Sequence, residues 1–541
     1  MMTSPRTSRE EGSPLLSPVD AEFSELPPAP TPKKRRPWIF LVGLVFLLIA
    51  VIDVGAFLAE PPKTRVYESN ICIRHYQEVD PSKIQEDGTV PEALCKVDAV
   101  QQTMAMIFGW QDTFDAIPGL LLAVPLGALV DRIGRKWVLV VCLMGLQLNS
   151  AWILLICWMR NLPLQLTWFS SVFYFFGGGP LVASAIGLTM IADIVPPEKR
   201  TTVFLYLGAS VLIAEMLAPV MAARLMEHGD WYPLLLALGI QQVGALVAFV
   251  LPETLHLRDL PEPREDVSES IKLRTKDEGF GFKAQLQNFK AALLFLRSDP
   301  TLALVIVTFV ANRLGRQALT LLIRYASKRY SWEIKKAAYL LSFRAATNLV
   351  AMTVFLPLVG LILTKYLRLP THWADLWISR GSLLLMALSF FVLAVAAQPA
   401  LLIFGLLIYN LGTGFSAAMR SVAIHVVGGQ ASPDIGKLMS LIAIVESIST
   451  MIAGPLLNEM FKKGMDMGET WLGLPFAGTC VIYALVGVIT FIISVKERDV
   501  EYVEIAAEDD EDVRGRSSVS DRGVEPRITT RISDDGYRKG N

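Results

Sequence analysis

The chain has 541 residues, of which 52% are hydrophobic and 19% charged, and a formal net charge of -1. Its mean hydropathy of +0.44 excludes a soluble enzyme of this size. A net charge so near zero gives no reason to expect nucleic acid as a partner.

In chain order, residues 1–36 are polar and rich in Pro and Ser, so they are expected to form a disordered tail with no secretory signal. The tail contains Glu11-Gly-Ser-Pro-Leu15-Leu16, the pattern of an acidic dileucine sorting signal, which sets a vacuolar or endosomal membrane against the plasma membrane as destination. A membrane span needs roughly 20 mostly apolar residues. Runs of that kind predict spans at 37–59, 104–130, 137–158, 166–192, 202–226, 232–251, 301–326, 337–363, 380–397, 400–426, 438–460 and 474–495. The fold class is therefore an all-α membrane protein, with twelve transmembrane helices in two six-helix halves over 37–251 and 300–496. An external loop (60–103), a cytoplasmic linker (252–299) and a disordered C-terminal tail (497–541) complete the expected organisation. The cluster Lys33-Lys34-Arg35-Arg36 before the first span argues for a cytoplasmic N-terminus. Against that scheme, Lys328, Arg329, Lys335 and Lys336 fall on the outer side. Within the linker, residues 282–296 have apolar positions at helical spacing, which predicts an amphipathic surface helix.

A repeat links the halves. Gly177-Gly178-Gly179 in the fourth span aligns with Gly412-Thr413-Gly414 in the tenth, and Ala218-Pro219 in the fifth with Gly454-Pro455 in the eleventh. In the external loop, Cys72 and Cys95 share one polar segment on the oxidising side, so a disulfide between them is expected, contributing about 3 kcal/mol by loop closure. Cys142, Cys157 and Cys480 lie in or at the ends of apolar runs and read as small buried residues. No Asn-x-Ser/Thr sequon occurs, so N-glycosylation is not expected.

Ionisable groups at membrane depth are costly and usually face a cavity, a partner or a pathway. The acids are Asp53, Asp112, Asp115, Glu215 and Glu446; the bases are Arg313, Arg316, Arg344 and Arg420. Four of the five acids fall in the first half and all four arginines in the second. Asp115 and Arg313 lie about 16–18 Å from a span end at the helical rise, near the midplane. A carboxylate with a like-charged neighbour titrates higher, which makes Asp115 or Glu215 the expected proton site, with Asp53 and Asp112 as further candidates. The arginines, with Asn410, are expected to hold an anionic group of a solute, since guanidinium stays charged and binds carboxylate in two-point fashion. Other readings stand beside these: Asp112 solvated near the outer surface, Arg316 and Arg344 paired with Glu446 or capping backbone carbonyls, Arg420 and His425 reaching toward the cytoplasmic interface. Trp110, Phe114, Tyr174, Phe175 and Phe176 are candidates for a cavity lining or for ordinary packing.

Between the second and third spans the chain reads Gly127-Ala128-Leu129-Val130-Asp131-Arg132-Ile133-Gly134-Arg135-Lys136. This resembles the signature G-x-L-x-D-R-x-G-R-[KR] of the major facilitator superfamily, at the position where that family carries it. The resemblance implies secondary active transport by alternating access. It also implies a cytoplasmic latch to the other half made by Asp131, Arg132 and Arg135, with Lys136, Asp193, Glu198, Lys199, Arg200 and the Pro252-Glu253-Thr254 segment as further partners. The stretches 68–72, 109–118, 325–330 and 340–345 resemble a fungal branch distantly similar to proton-coupled folate and thienamycin-type transporters. The glycine-rich antiporter motif of the fifth span is degenerate here, as Ala214, Ala218-Pro219 and Ala222-Ala223.

The expected function is transport of a small organic, anionic solute coupled to protons, with export of a secondary metabolite or xenobiotic favoured over nutrient uptake, and a non-transporting sensor of the same fold as the reading from another class. The expected partners are the solute, protons and the lipid bilayer, with the protein a monomer. No cofactor and no metal are expected. Five scattered histidines and the lack of a Gly-Lys-Ser/Thr phosphate loop give an enzyme no support.

Overall fold

The computed structural model describes residues 38–195, 199–254, 300–427 and 435–493. Both tails, the linker from 255 to 299 with the helix expected at 282–296, Glu198, and the side chains of Asp131 and Arg200 lie outside the described residues. Among the described residues there is no strand, and twelve helical spans follow one another. They are α1 (Trp38–Val79), α2 (Asp98–Ile133), α3 (Arg135–Trp158), α4 (Leu164–Ile194), α5 (Arg200–Met226), α6 (Trp231–Val250), α7 (Pro300–Thr320), α8 (Ile334–Tyr366), α9 (Thr371–Ala394), α10 (Pro399–Val427), α11 (Ile435–Asp466) and α12 (Leu474–Ile492). Eleven are long and apolar enough to cross a membrane by length and composition. The twelfth, α2, has 36 residues.

In the first half α1 packs on α5 and α6, and α3 on α4; in the second α9 packs on α10 and α12, and α7 on α11 and α12. The halves meet along two seams, α2 against α11 and α5 against α8. Each half has its own apolar core, centred on residues such as Leu48, Met190 and Ala248 in the first and Phe309, Phe390 and Phe476 in the second. Outside these cores, Leu246, Leu384 and Val488 are more than half exposed. Large apolar side chains turned outward on so many helices are stable only against lipid tails.

The aligned glycine groups mark matching breaks. α4 begins as a 3-10 helix over Leu164–Phe176, stops, and restarts as α-helix at Gly179. A Cβ on Gly177 would sit 2.3 Å from the Cα of Cys142, and Gly178 has φ +79°, so close helix approach and a left-handed residue both require glycine there. α10 is likewise interrupted between Leu411 and Phe415, at Gly412-Thr413-Gly414. The second aligned pair falls inside α5 and α11; a Cβ on Gly454 would lie 2.8 Å from the Cβ of Asp112, at the seam between α11 and α2.

The largest departure from the expected spans is α1, which does not end at 59 but continues through Pro61 and Pro62 to Val79. The expected external loop is thereby reduced by half. Glu60, Lys63, Arg65 and Glu68 made this stretch read as a loop, yet Lys63 bonds Glu60 and Arg65 bonds Glu68, so the polar turns are satisfied inside the protein. α9 begins at Thr371, nine residues before the expected start at 380, which places Arg380 inside a helix. Its guanidinium donates to the carbonyls of Thr490 and Ile493 and so caps the end of α12.

Candidate transport site

At one end of the bundle, Gly134 ends α2 and opens α3 with φ +113°. A Cβ there would lie 2.4 Å from Glu253 Oε2. That carboxylate caps α3: Oε1 accepts from the Arg135 backbone N–H at 2.8 Å and Oε2 from that of Lys136 at 3.1 Å. The Arg135 side chain forms a buried pair with Asp193 at the end of α4, 2.7 Å from Nε to Oδ2. These bonds of the signature run to α4 and to the segment after α6, within the first half, where the resemblance implied a latch to the second. Arg132 is exposed, and Gly127 faces open space.

The opposite end carries the expected disulfide, Cys72–Cys95, with Cα atoms 5.3 Å apart. Beside it Glu68 is wholly buried and accepts from Lys96 at 2.8 and 3.0 Å and from Gln101 at 2.7 Å. Glu92 shares Lys96 and Arg65 with it, and also accepts from the Ile334 backbone N–H at 2.7 Å, capping α8 of the other half. Lys328 pairs with Asp98 at 2.6 Å, and Gln102 donates to Asp466 at 2.6 Å. The basic residues that the expected orientation put on the outer side are each engaged: Lys328 here, Arg329 on the Glu469 carbonyl, Lys335 on Glu333, Lys336 over the Trp332 ring. In the turn between α5 and α6, burial pushes the Asp230 carboxyl above its ordinary range, against the opposing pull of Arg65.

Between the two ends, the membrane-depth charges fall into three groups. In the first, Asp115 accepts from Gln111 at 2.9 Å and from the Ser171 hydroxyl, while Gln111 and Asn149 also reach Ser170. One turn away on the same helix, Asp112 turns to the second half and accepts from Gln317, so it is not the solvated surface group of the alternative reading. Arg324 lies nearby, donating to Asn458 at 2.7 Å and standing 4.6 Å over the Phe108 ring, with Lys63 at 5.9 Å from the same ring.

The second group joins the halves: Glu215 of α5 pairs with Arg344 of α8. Asn410 of α10 donates to the Arg344 carbonyl at 3.1 Å and to the Thr347 hydroxyl. In the third group, buried Glu446 of α11 pairs with Arg313 at 3.0 Å and Arg420 at 3.1 Å, and accepts from Asn312 at 2.8 Å. The partners of Glu446 are therefore Arg313 and Arg420, and not the Arg316 and Arg344 of the alternative reading. Arg316 is exposed, has no side-chain partner among the described residues, and acts electrostatically on both Arg313 and Glu446. Asp53 has no bonded partner among the described residues and belongs to none of the groups.

Of the aromatic candidates, Trp110 stacks on Phe114 and Phe114 packs on Trp168, whereas Phe175 and Phe176 point outward. His425 stacks face to face on His372, ring centroids 4.5 Å apart. Sequence reasoning missed Glu60, Lys63, Gln111, Gln317, Arg324 and Asn458. The available signal was Asn and Gln inside apolar runs, where an amide without a partner is expensive.

Two bundles packed along two helix seams, with charges gathered between them, define a polytopic membrane protein of the transporter class. Residues 99–455 match the Major Facilitator Superfamily. The chain belongs to that superfamily. It is 34% identical over 495 residues to the MFS efflux pump atnC of Emericella nidulans, an alignment covering 89% of this chain and 94% of the relative. With the efflux pump ustT of Aspergillus flavus it shares 28% identity, over 83% of this chain and 87% of the relative. Among solved structures it resembles the nucleoside transporter NupG, with TM-score 0.57 and 12% identity, over 83% of this chain and all of that one.

Proposed function

We propose that the protein is an efflux transporter of the plasma membrane that exchanges protons for a small organic anion by alternating access. Export is supported by the names of its relatives, an MFS efflux pump and an efflux pump. The disulfide supports the orientation, since such bonds persist on the non-cytosolic side. The observation that carries the substrate class is the third group of charges. One carboxylate, Glu446, is shared by Arg313 and Arg420 with Arg316 acting on it, so three guanidinium groups meet one negative charge. That surplus favours a solute that brings the missing anion.

The bonds across the seams at the disulfide end, Glu92 to Ile334, Lys328 to Asp98 and Gln102 to Asp466, support a state closed to the outside. Asp112 with Gln317 and Glu215 with Arg344 also join the two halves, the second across the α5–α8 seam. A proton on Glu215 removes its charge and loosens its hold on Arg344, which links protonation to the closure of the α5–α8 seam. Asp115, bonded only within its own half, is the site that would carry a proton between the two states.

The test compares metabolites inside and outside cells with and without the protein, then measures export of the accumulated solute in vesicles under a pH gradient. Arg313→Gln is expected to raise the half-saturating concentration about ten-fold, and Asp115→Asn to abolish the pH-driven component while exchange persists. A neutral or cationic solute, or full pH-driven export by both Asp115→Asn and Glu215→Gln, would refute the proposal.

A further inference from the structure

A cleft of about 180 Å³ opens on the α2–α11 seam near the disulfide end, with Met106 and Trp110 on one wall and Pro455, Glu459 and Lys462 on the other. It lies on the side turned away from the charges between the halves. Around α2, Asp112 and Asp115 turn to their partners there, whereas Met106 and Trp110, on the other side of the same helix, are 38% and 46% exposed. Along α11, Glu446 and Asn458 turn inward to arginines, whereas Ile452 and Leu456 are 58% and 41% exposed. In a chain that spans a membrane, that outward face meets lipid.

The surface at the cleft is graded along the helix axis. Ile452 and Leu456 are apolar, Trp110 is the kind of side chain that settles at a membrane interface, and Lys462 follows the last apolar residue of the run, Phe461. From Ile452 to Lys462 the helical rise covers about 15 Å, the depth of one leaflet. Glu459 and Lys462 stand one turn apart in the same cleft, yet neither has an ion-pair partner among the described residues, each other included. The neighbouring Lys463 is exposed and lies outside the cleft. Two opposite charges left open side by side, above an apolar stripe, complement a headgroup that carries a phosphate and a cation together. We infer that the cleft binds a zwitterionic phospholipid of the leaflet at the disulfide end. Its phosphate meets Lys462, its cationic group meets Glu459, and an acyl chain follows Leu456 and Ile452. A lipid whose headgroup has only the phosphate satisfies Lys462 but leaves Glu459 without a cation. One wall of the cleft comes from each half, so the bound lipid bridges the seam. This site is separate from the charges between the halves and does not depend on the solute.

The test titrates phosphatidylcholine and phosphatidylglycerol, both with the same dibrominated acyl chains, into the purified full chain in detergent. Bromine quenches tryptophan fluorescence on contact, and the share belonging to Trp110 is the quenching lost in Trp110→Phe. Phosphatidylcholine is expected to half-quench that share at about a ten-fold lower concentration than phosphatidylglycerol. Glu459→Gln should bring the two lipids level, and Lys462→Gln should raise both half-quenching concentrations about ten-fold; neither residue has a partner in the fold to lose. Equal half-quenching by the two lipids on the unaltered protein would mark ordinary boundary lipid and overturn the inference. So would a preference that survives Glu459→Gln, or quenching that Lys462→Gln leaves unchanged. Failure of both lipids to quench Trp110 would also overturn it, and would point to a second copy of the chain covering the cleft.

Discussion

Replacing Glu68 by Gln tests whether the disulfide end is a packed part of the fold or a solvated loop. Glu68 has no exposed surface, and Lys96 and Arg65, its cationic partners, have side chains 8% and 12% exposed. With Glu92 the cluster holds two carboxylates and two cations, a balanced set. Glu68→Gln keeps the shape but leaves one positive charge in surplus and turns an NH2 group toward a lysine that can only donate. An exposed pair would be worth about 0–1 kcal/mol, whereas removing one member of a buried set costs about 3–5 kcal/mol. Because Glu92 still shares both cations, about 3 kcal/mol is expected. For a chain of 541 residues that lowers the unfolding midpoint by about 3 °C at a fixed heating rate. A thiol-reactive fluorophore can follow unfolding, since Cys142 and Cys157 are buried in the native state. Glu78→Gln, at an exposed position near the end of α1, is the control. If the two variants melt together, the burial of Glu68 and the helical extension of α1 are both refuted.

Gly134→Ala should lower stability by about 1–3 kcal/mol and reduce transport, because it places a side chain at φ +113° and displaces the Glu253 cap from α3; thermal unfolding and vesicle export would read it. Cys72→Ser opens a disulfide closing a separation of 23 residues and is expected to cost about 3 kcal/mol, a loss that treatment of the unaltered protein with reductant should reproduce in the same melting assay. Lys328→Gln removes a bond across the seam and should shift the protein toward a state open at the disulfide end. A Gln102→Cys reporter should then react with a membrane-impermeant maleimide about ten-fold faster.

Much of the architecture was legible because a membrane span is a local property. Twenty apolar residues declare themselves wherever they sit, and the glycine groups of α4 and α10 revealed the repeat because breaking a helix is also decided locally. α1 shows where this reasoning stops. Its last five turns carry Glu60, Lys63, Arg65 and Glu68, and a hydropathy reading ends the helix where the charges begin. Those charges cost little because Lys96, Gln101 and Glu92, from a segment about thirty residues downstream, meet them. No window along the chain contains both sides of that bargain.

The same division runs through the candidate site. Residue types alone marked Asp112, Asp115, Glu215, Glu446 and the arginines as unusual, since a charge in hydrocarbon must have a reason to be there. Which reason applies depends on which helices touch. The packing of α5 on α8 gives Arg344 to Glu215, and that of α11 on α7 gives Arg313 to Glu446. The twelve-span fold and the signature turn were written into composition and short patterns; the pairing of Glu215 with Arg344 and of Glu446 with Arg313 and Arg420 was decided by tertiary contact, because electrostatic energy depends on distance in space and not on separation along the chain.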